Sequence, residues 1–127
     1  MEPVILLVDD ETDLVEVLRD ALELKMPQFR ALAATSADGA LAVLDLLRTE
    51  ELALVCVDQR LGASSGIELL RVVRHRWPRV PAIVFTGQAT PATTEGALAL
   101  GARVLTKPLR LTEWLAQVQD LLNGTPP

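Results

Sequence analysis

Short, wholly apolar runs alternate along the chain with longer stretches in which apolar residues recur every three to four positions. The first run, Val4–Val8, lies between Pro3 and two aspartates, which is typical of a strand buried on both faces. Similar runs predict further strands at about 29–34, 53–57 and 82–85, and a minimal fifth strand at 104–105. The pattern therefore predicts five strands in order along the chain.

A helix is predicted after each of these strands. The apolar spacing that follows Thr12 is that of an amphipathic helix, with Thr12 as its N-cap and Pro27 beyond its end. Ser36 and the Thr90-Pro91 pair predict the starts of two more helices, and the last helix is expected to begin near Thr112. Residues 124–127 are interpreted as a linker or the start of a tail, so the predicted domain spans residues 1–123.

Five strand–helix units in alternation predict an α/β fold, a parallel sheet with helices on both faces in three layers. Ligands of such sheets bind at the carboxyl ends of the strands. The polar residues Asp9, Asp10, Asp58, Thr86 and Lys107 all come just after predicted strands. The sequence thus predicts a site at this edge of the sheet.

Composition excludes several classes of function. A chain of 127 residues with half of them apolar fits one globular domain. Its net charge of −5 and pI near 4.8 argue against direct nucleic-acid binding. No apolar stretch approaches the roughly 20 residues that span a bilayer. We therefore expect no membrane association. The single cysteine, Cys56, cannot form an internal disulfide, so we expect a cytoplasmic setting.

The predicted site has the parts required for phosphoryl transfer. Carboxylates crowded at one strand edge repel one another, by about 4 kcal/mol per pair at 4 Å and an effective dielectric constant of 20. A hard divalent cation, Mg²⁺ (or Mn²⁺), relieves this repulsion and prefers oxygen ligands. A carboxylate can itself accept a phosphoryl group as a nucleophile, and a hydroxyl and an ammonium can hold the phosphoryl oxygens.

Four segments carry a resemblance to a known family: Leu6 to Glu11, Asp58 with Gly66 eight residues later, Thr86-Gly87, and Lys107-Pro108. Together they resemble the CheY-like receiver domain of bacterial two-component response regulators. The resemblance implies a flavodoxin-like (βα)5 fold with strand order 2-1-3-4-5.

Roles for individual residues follow from the same resemblance. It implies that Asp58 is the phosphoacceptor, that Asp10 and Asp58 bind the metal directly, and that Asp9 assists through water. The backbone carbonyl of Arg60 completes the metal ligands. Thr86 and Lys107 then contact the phosphoryl group, and a cis peptide bond before Pro108 is expected.

The implied function is a phosphorylation switch with slow self-catalysed dephosphorylation, not a metabolic enzyme. The phosphoryl donor is expected to be a sensor histidine kinase or a phosphotransfer protein, and a homodimer through the fourth and fifth βα units is possible. Arg60 and Gln88 lie two residues past Asp58 and Thr86, where we expect them to tune the lifetime of the acyl phosphate.

The chain departs from the family pattern at three places, one of which is the interval from Gly101-Ala102 to Lys107, one residue shorter than usual. Leu61-Gly62 stands where receivers commonly have an apolar residue and proline, which predicts a more flexible loop. Val104 occupies the position, three residues before the lysine, where the family usually has Tyr or Phe as the residue that relays the switch. A degenerate receiver that binds partners without phosphorylation is therefore an alternative. An aspartate phosphatase is less favoured, because Arg60 replaces the second acid of an Asp-x-Asp pair.

Each feature also has a plain structural interpretation. Acids 9–11 alone could cap the following helix and favour its positive end. The arginines around His75 are interpreted as a solvated helix face rather than a docking patch. Trp114 is interpreted as a packing residue that could flank a partner surface. Only the coincidence of the four segments in a five-unit chain favours the functional interpretation.

Overall fold

A computed structural model of the protein describes residues 2–123, so the predicted linker at 124–127 lies outside the described residues. Five parallel strands form one sheet, with each strand followed by a helix. The strands, numbered along the chain, are β1 Val4–Val8, β2 Arg30–Ala34, β3 Leu52–Asp58, β4 Ala82–Thr86 and β5 Arg103–Thr106. The helices are α1 Thr12–Lys25, α2 Ala37–Asp45, α3 Gly66–Arg76, α4 Pro91–Ala99 and α5 Leu111–Leu122.

The strand order is β2-β1-β3-β4-β5, which confirms the predicted five-stranded parallel sheet. Between β3 and α3 the chain also forms a short antiparallel ladder, in which Arg60–Leu61 pairs with Ser64–Ser65. A single 3-10 turn, Thr49–Glu51, leads into β3.

Alternate side chains of the buried strands point to opposite faces of the sheet and pack in two separate hydrophobic cores. Ile5 and Leu7 of β1 belong to the core beneath α1 and α5, which includes Leu18 and Trp114. The remaining residues of β1 face the other core, beneath α2, α3 and α4. Trp114 has no exposed surface, so the suggestion that it flanks a partner surface is wrong. Full burial of both faces explains why β1 and β3 are continuous apolar runs.

Strand ends differ slightly from the prediction, with a consequence for the site. Asp58 and Thr86 are the last residues of β3 and β4 rather than the first residues after them. Their backbones still pair with Phe85 and Thr106 of the neighbouring strands. The ladder therefore holds both polar side chains at fixed positions on the sheet edge.

The start of α1 also differs from the prediction. Glu11, not Thr12, occupies the N-cap position, since its carbonyl accepts the first helical hydrogen bond, from Val15 N. The Glu11 side chain makes no cap hydrogen bond. Asp9 Oδ1 instead accepts a hydrogen bond from Glu11 N at 2.9 Å, which turns the chain into the helix. The helix thus begins without a cap bond from the side chain of Glu11.

The arginines near His75 are mostly exposed, as the interpretation of a solvated helix face requires, and only Arg74 is half-buried. Arg74 donates hydrogen bonds to three backbone carbonyls, those of Leu100, Trp77 and Val80. Arg76 donates to the carbonyls of Leu44 and Leu47, with its guanidinium 4.4 Å from the centre of the Trp77 ring. Two of the arginines therefore link α3 to the neighbouring loops. No helix among residues 2–123 is long and apolar enough to cross a membrane.

Candidate functional site

An open cleft of about 430 Å³ lies over the carboxyl ends of β3, β4 and β5, next to the loop that follows β1. The structure brings most of the predicted site residues together in its lining: Asp10, Asp58, Arg60, Thr86, Gln88 and Lys107. Asp9 lies beneath the cleft with only 1% of its surface exposed. The set is gathered from four separate strand ends because the sheet is parallel.

Three carboxylates meet at the floor of this cleft. One oxygen from each of Asp9, Asp10 and Asp58 lies within 4.8 Å of the others. Burial raises the pKa of Asp58 above its ordinary value, and the negative charge of Asp9 raises it further. Lys107 opposes this shift without cancelling it. The site thus holds a carboxylate whose negative charge is incompletely compensated.

This acidic cluster fits a divalent cation. Asp9 Oδ2 is fully buried, and its partner among the described residues is Lys107 Nζ, 2.9 Å away. A carboxylate oxygen can accept more than one contact, so Asp9 can face both this ammonium and a water held by a cation. A cluster of oxygen ligands that includes a solvent-exposed acid, Asp10, is what Mg²⁺ prefers, because this ion retains several waters.

Lys107 joins the acids of the cleft. Its Nζ lies 2.9 Å from Asp9 Oδ2, 3.4 Å from Asp58 Oδ1 and 2.8 Å from Glu11 Oε1. Burial acts to lower the pKa of this ammonium, but the hydrogen bonds to Glu11 and Asp9 and the nearby negative charges outweigh it, so the pKa is raised. The lysine is therefore a permanent cation here. The peptide bond between Lys107 and Pro108 is cis, as expected from the resemblance.

Thr86 connects the cleft to the loop before α4. Its Oγ1 donates a hydrogen bond to the backbone carbonyl of Gln88 at 2.7 Å and accepts one from Gln88 N at 3.1 Å. In this conformation the proton of the Thr86 hydroxyl is therefore donated to the backbone of the loop. Any new acceptor in the cleft has to compete with the Gln88 carbonyl for it.

Glycines shape the chain after Asp58. A β-carbon at Gly66 would lie 2.4 Å from the backbone oxygen of Asp58 and 2.8 Å from Val57 Cγ2, so only glycine allows α3 to start this close to β3. Gly62 has a φ of +64°, which proline cannot adopt because its ring holds φ near −65°. The departure at Gly62 therefore matches a different loop conformation, stabilised by the short antiparallel ladder.

Val104 lies in β5 with its side chain half-buried against the core beneath α3 and α4. It has no ring that could move between the surface and the cleft. Beside it, Arg103 forms an ion pair with Asp120 of α5 at 2.6 Å, which fastens β5 to α5.

Two contributors were missed by the sequence analysis. Glu11 was noted only as part of a motif, yet it binds Lys107, 96 residues away in the chain. Gln59, which lines the cleft beside Asp58, also binds the first turn of α3 through its side chain. Neither residue lies in a periodic pattern, so only the tertiary structure reveals these contacts.

Comparison with known proteins gives one consistent result. The family model described as response regulator receiver domain matches residues 5–119. The response regulator protein PilR of Pseudomonas aeruginosa is 34% identical over 122 residues, which cover 93% of this chain and 26% of PilR. The transcriptional regulatory protein CpxR of Escherichia coli is 30% identical over 136 aligned residues, which cover 96% of this chain and 56% of CpxR.

Solved structures agree with the sequence relatives. A CheY-like response regulator receiver domain protein from Methanospirillum hungatei superposes with a TM-score of 0.87 at 25% identity, covering 97% of this chain and 95% of that one. By contrast, the present chain spans only about a quarter of PilR and about half of CpxR. Taken with the fold and the acidic cleft, these matches show that the chain belongs to the response regulator receiver domain family.

Proposed function

We propose that this domain accepts a phosphoryl group on Asp58 from a phosphohistidine of a sensor kinase or phosphotransfer protein. The observation that carries the proposal is the position of Asp58 at the cleft floor, with Lys107 Nζ 3.4 Å from Oδ1 and Asp9 and Asp10 beside it. The acidic cluster, the ammonium of Lys107 and the cleft support this function together, and membership in the receiver family supports it independently.

The reaction is a single displacement at phosphorus. A carboxylate oxygen of Asp58 forms the new O–P bond as the P–N bond to the donor histidine breaks, and the imidazole leaves with the bond's electron pair. Bound Mg²⁺ would supply positive charge to the phosphoryl oxygens, held by Asp10, Asp58 and the Arg60 carbonyl, with Asp9 assisting through water. Lys107 would neutralise another of these oxygens. Hydrolysis of the acyl phosphate by water then restores the free carboxylate.

The signal would leave the cleft through Thr86. A phosphoryl oxygen on Asp58 competes with the Gln88 carbonyl for the Thr86 hydroxyl proton. When the hydroxyl turns to the phosphoryl group, the Gln88 backbone loses both of its bonds to this side chain. The loop before α4 then shifts, and Val104 has no part in that movement.

A mass measurement tests the acceptor. Incubation of the protein with acetyl phosphate and Mg²⁺ should add one phosphoryl group to the intact mass, and Asp58→Asn should abolish the gain. Asp45→Asn, at an exposed aspartate at the end of α2, is the matched control and should be phosphorylated normally. A phosphoryl gain that persists in Asp58→Asn would contradict the assignment.

A second experiment tests the route of the signal. Beryllofluoride with Mg²⁺ should shift the amide NMR resonances of residues 87–90 and of the start of α4. The route through Gln88 would be contradicted if the shifts stayed inside the cleft. Size-exclusion chromatography of the same sample tests the expected homodimer through α4, β5 and α5.

The degenerate receiver is a second candidate, favoured by Val104 in place of the usual aromatic residue. A domain of that kind would bind its partner equally well with and without beryllofluoride. It would also gain no mass from acetyl phosphate. A domain that is phosphorylated but does not transmit the change to its surface would gain mass and still bind its partner equally well in both states.

A further inference from the structure

Gln59 makes one hydrogen bond to β4 and two to the start of α3, and so ties the acceptor strand to both. Its backbone N donates to Phe85 O at 2.8 Å, which extends the β3–β4 pairing by one residue. Its backbone O accepts from Gly66 N at 3.0 Å. Its side-chain Oε1 accepts from Ile67 N at 3.1 Å. The loop of residues 60–65 therefore starts next to Gln59 and ends at Gly66, which is bonded to Gln59.

The loop between these points has little else to hold it. Leu61 is its only buried side chain, with 5% of its surface exposed, and Gly62 lowers the energetic barrier to other backbone conformations. The ladder within the loop contains only two residue pairs. The backbone of Arg60 is thus held by its pairing with Ser65 and by the residue before it, which is bonded on both its main chain and its side chain.

The Gln59 side chain is not required for α3 to form. Ser65 caps the same helix independently, since Ser65 Oγ accepts from Glu68 N at 3.1 Å. Ser65 makes no side-chain bond to the segment that carries Asp58. The first turn of α3 therefore has two side-chain acceptors, Gln59 and Ser65, of which only Gln59 also lines the acidic cleft.

We propose that Gln59 is a positioning residue for divalent-cation binding, whose side-chain bond to Ile67 N fixes the loop that presents the Arg60 carbonyl to the metal. This inference rests on the proposed function, because it assumes that the acidic cleft binds a divalent cation. In this chain the hydrogen bond of the Gln59 side chain would restrain the loop, because Gly62 lacks the fixed φ of the proline that is common at its position.

Mn²⁺ titration followed by electron paramagnetic resonance of the free ion tests the proposal. Gln59→Met keeps the side-chain length but removes the acceptor, and the dissociation constant for Mn²⁺ should rise about three- to tenfold, as expected for one lost hydrogen bond. Ser65→Ala removes the other helix cap and should leave the constant within about twofold of the wild-type value. Gln59→Asn, which is too short to reach Ile67, should behave like Gln59→Met.

A kinetic measurement separates positioning from a merely structural role. In Gln59→Met, the Mg²⁺ concentration that gives half-maximal phosphorylation by acetyl phosphate should rise by the same factor, while the rate at saturating Mg²⁺ stays within about twofold. The inference is overturned if Gln59→Met and Ser65→Ala shift Mn²⁺ affinity equally, or if neither does. If the wild-type protein binds no Mn²⁺, or if Asp10→Asn binds it unchanged, the metal site itself is refuted, and the inference falls with it.

Discussion

Substitution of Gly66 by alanine should damage both the stability and the site of this protein. Gly66 is the first residue of α3, and its α-carbon lies directly against the end of β3. An alanine β-carbon there would lie 2.4 Å from Asp58 O, about 1.0 Å short of the 3.4 Å at which ordinary contact begins. The atom it meets is backbone of a central strand, which cannot rotate away as a flexible side chain would.

The expected cost follows from this overlap. Inserting one carbon into a packed site typically costs about 1–3 kcal/mol, and a clash with sheet backbone lies toward the upper end of that range. Alanine has a better helix propensity than glycine, by up to about 1 kcal/mol in a helix interior and less at a first position. The net loss of unfolding free energy should therefore be about 2 kcal/mol.

Urea denaturation followed by circular dichroism measures this loss. With a slope of about 1–3 kcal/mol per molar urea, the midpoint should fall by about 1 M without a change in slope. Gly87→Ala is the matched control, because nothing lies within 4 Å of a β-carbon at Gly87, and its midpoint should not change. A Gly66→Ala midpoint equal to that of the wild type would refute the close-approach argument.

The same substitution should slow phosphorylation. Relieving the clash requires Asp58 to move, and a displacement of about 1 Å at a reacting group can reduce the rate about 100-fold. The loss should appear in the rate of phosphorylation by acetyl phosphate at saturating Mg²⁺ in protein that is still folded.

Three further predictions concern the charged groups of the cleft. The pKa of Asp58 is raised in the folded state, chiefly by burial, so the folded protein loses stability as pH rises from the unfolded pKa through the folded one. Asp58→Asn should therefore melt at a higher temperature than wild type at pH 7, with the difference vanishing at low pH; equal melting curves at pH 7 would contradict this. Lys107→Met should lower the unfolding free energy by about 3 kcal/mol at pH 7, because Asp9 Oδ2 loses the cation 2.9 Å away; an unchanged urea midpoint would contradict this. Gln88→Leu removes an amide able to orient the attacking water and should lengthen the lifetime of the acyl phosphate several-fold, as followed by loss of radiolabel; Arg60→Ala tests the neighbouring position, and unchanged lifetimes in both variants would remove these residues from dephosphorylation.

Most of the fold could be predicted from the order of apolar runs. The continuous run of β1 and the polar residues at the strand ends are local signals, and each survives in the structure with a shift of a residue or two. The shifts have a common cause, since strand and helix ends depend on hydrogen bonds to neighbours. Asp58 belongs to β3 because its backbone pairs with Phe85, and α1 starts at Thr12 because Glu11 already accepts its first hydrogen bond.

Contacts between distant residues could not be predicted in the same way. The bond between Lys107 and Glu11 joins residues 96 positions apart, and the core beneath α1 and α5 buries Trp114 completely. The sequence left Trp114 open to either packing or partner binding, because helical spacing alone does not say how deeply a face is covered.

The amino-acid sequence by itself determined the five strand–helix units, the edge of the sheet where a site lies, and the residues able to form it. These follow from periodicity and from the chemistry of carboxylates, a hydroxyl and an ammonium. Only the tertiary structure decided the distances among them: the approach of Lys107 to Asp9, the hydrogen bonds between the Thr86 hydroxyl and Gln88, and the bond from Ile67 N of α3 to the Gln59 side chain. Such contacts depend on how strands from separate parts of the chain are placed side by side, and packing fixes that placement rather than any local pattern.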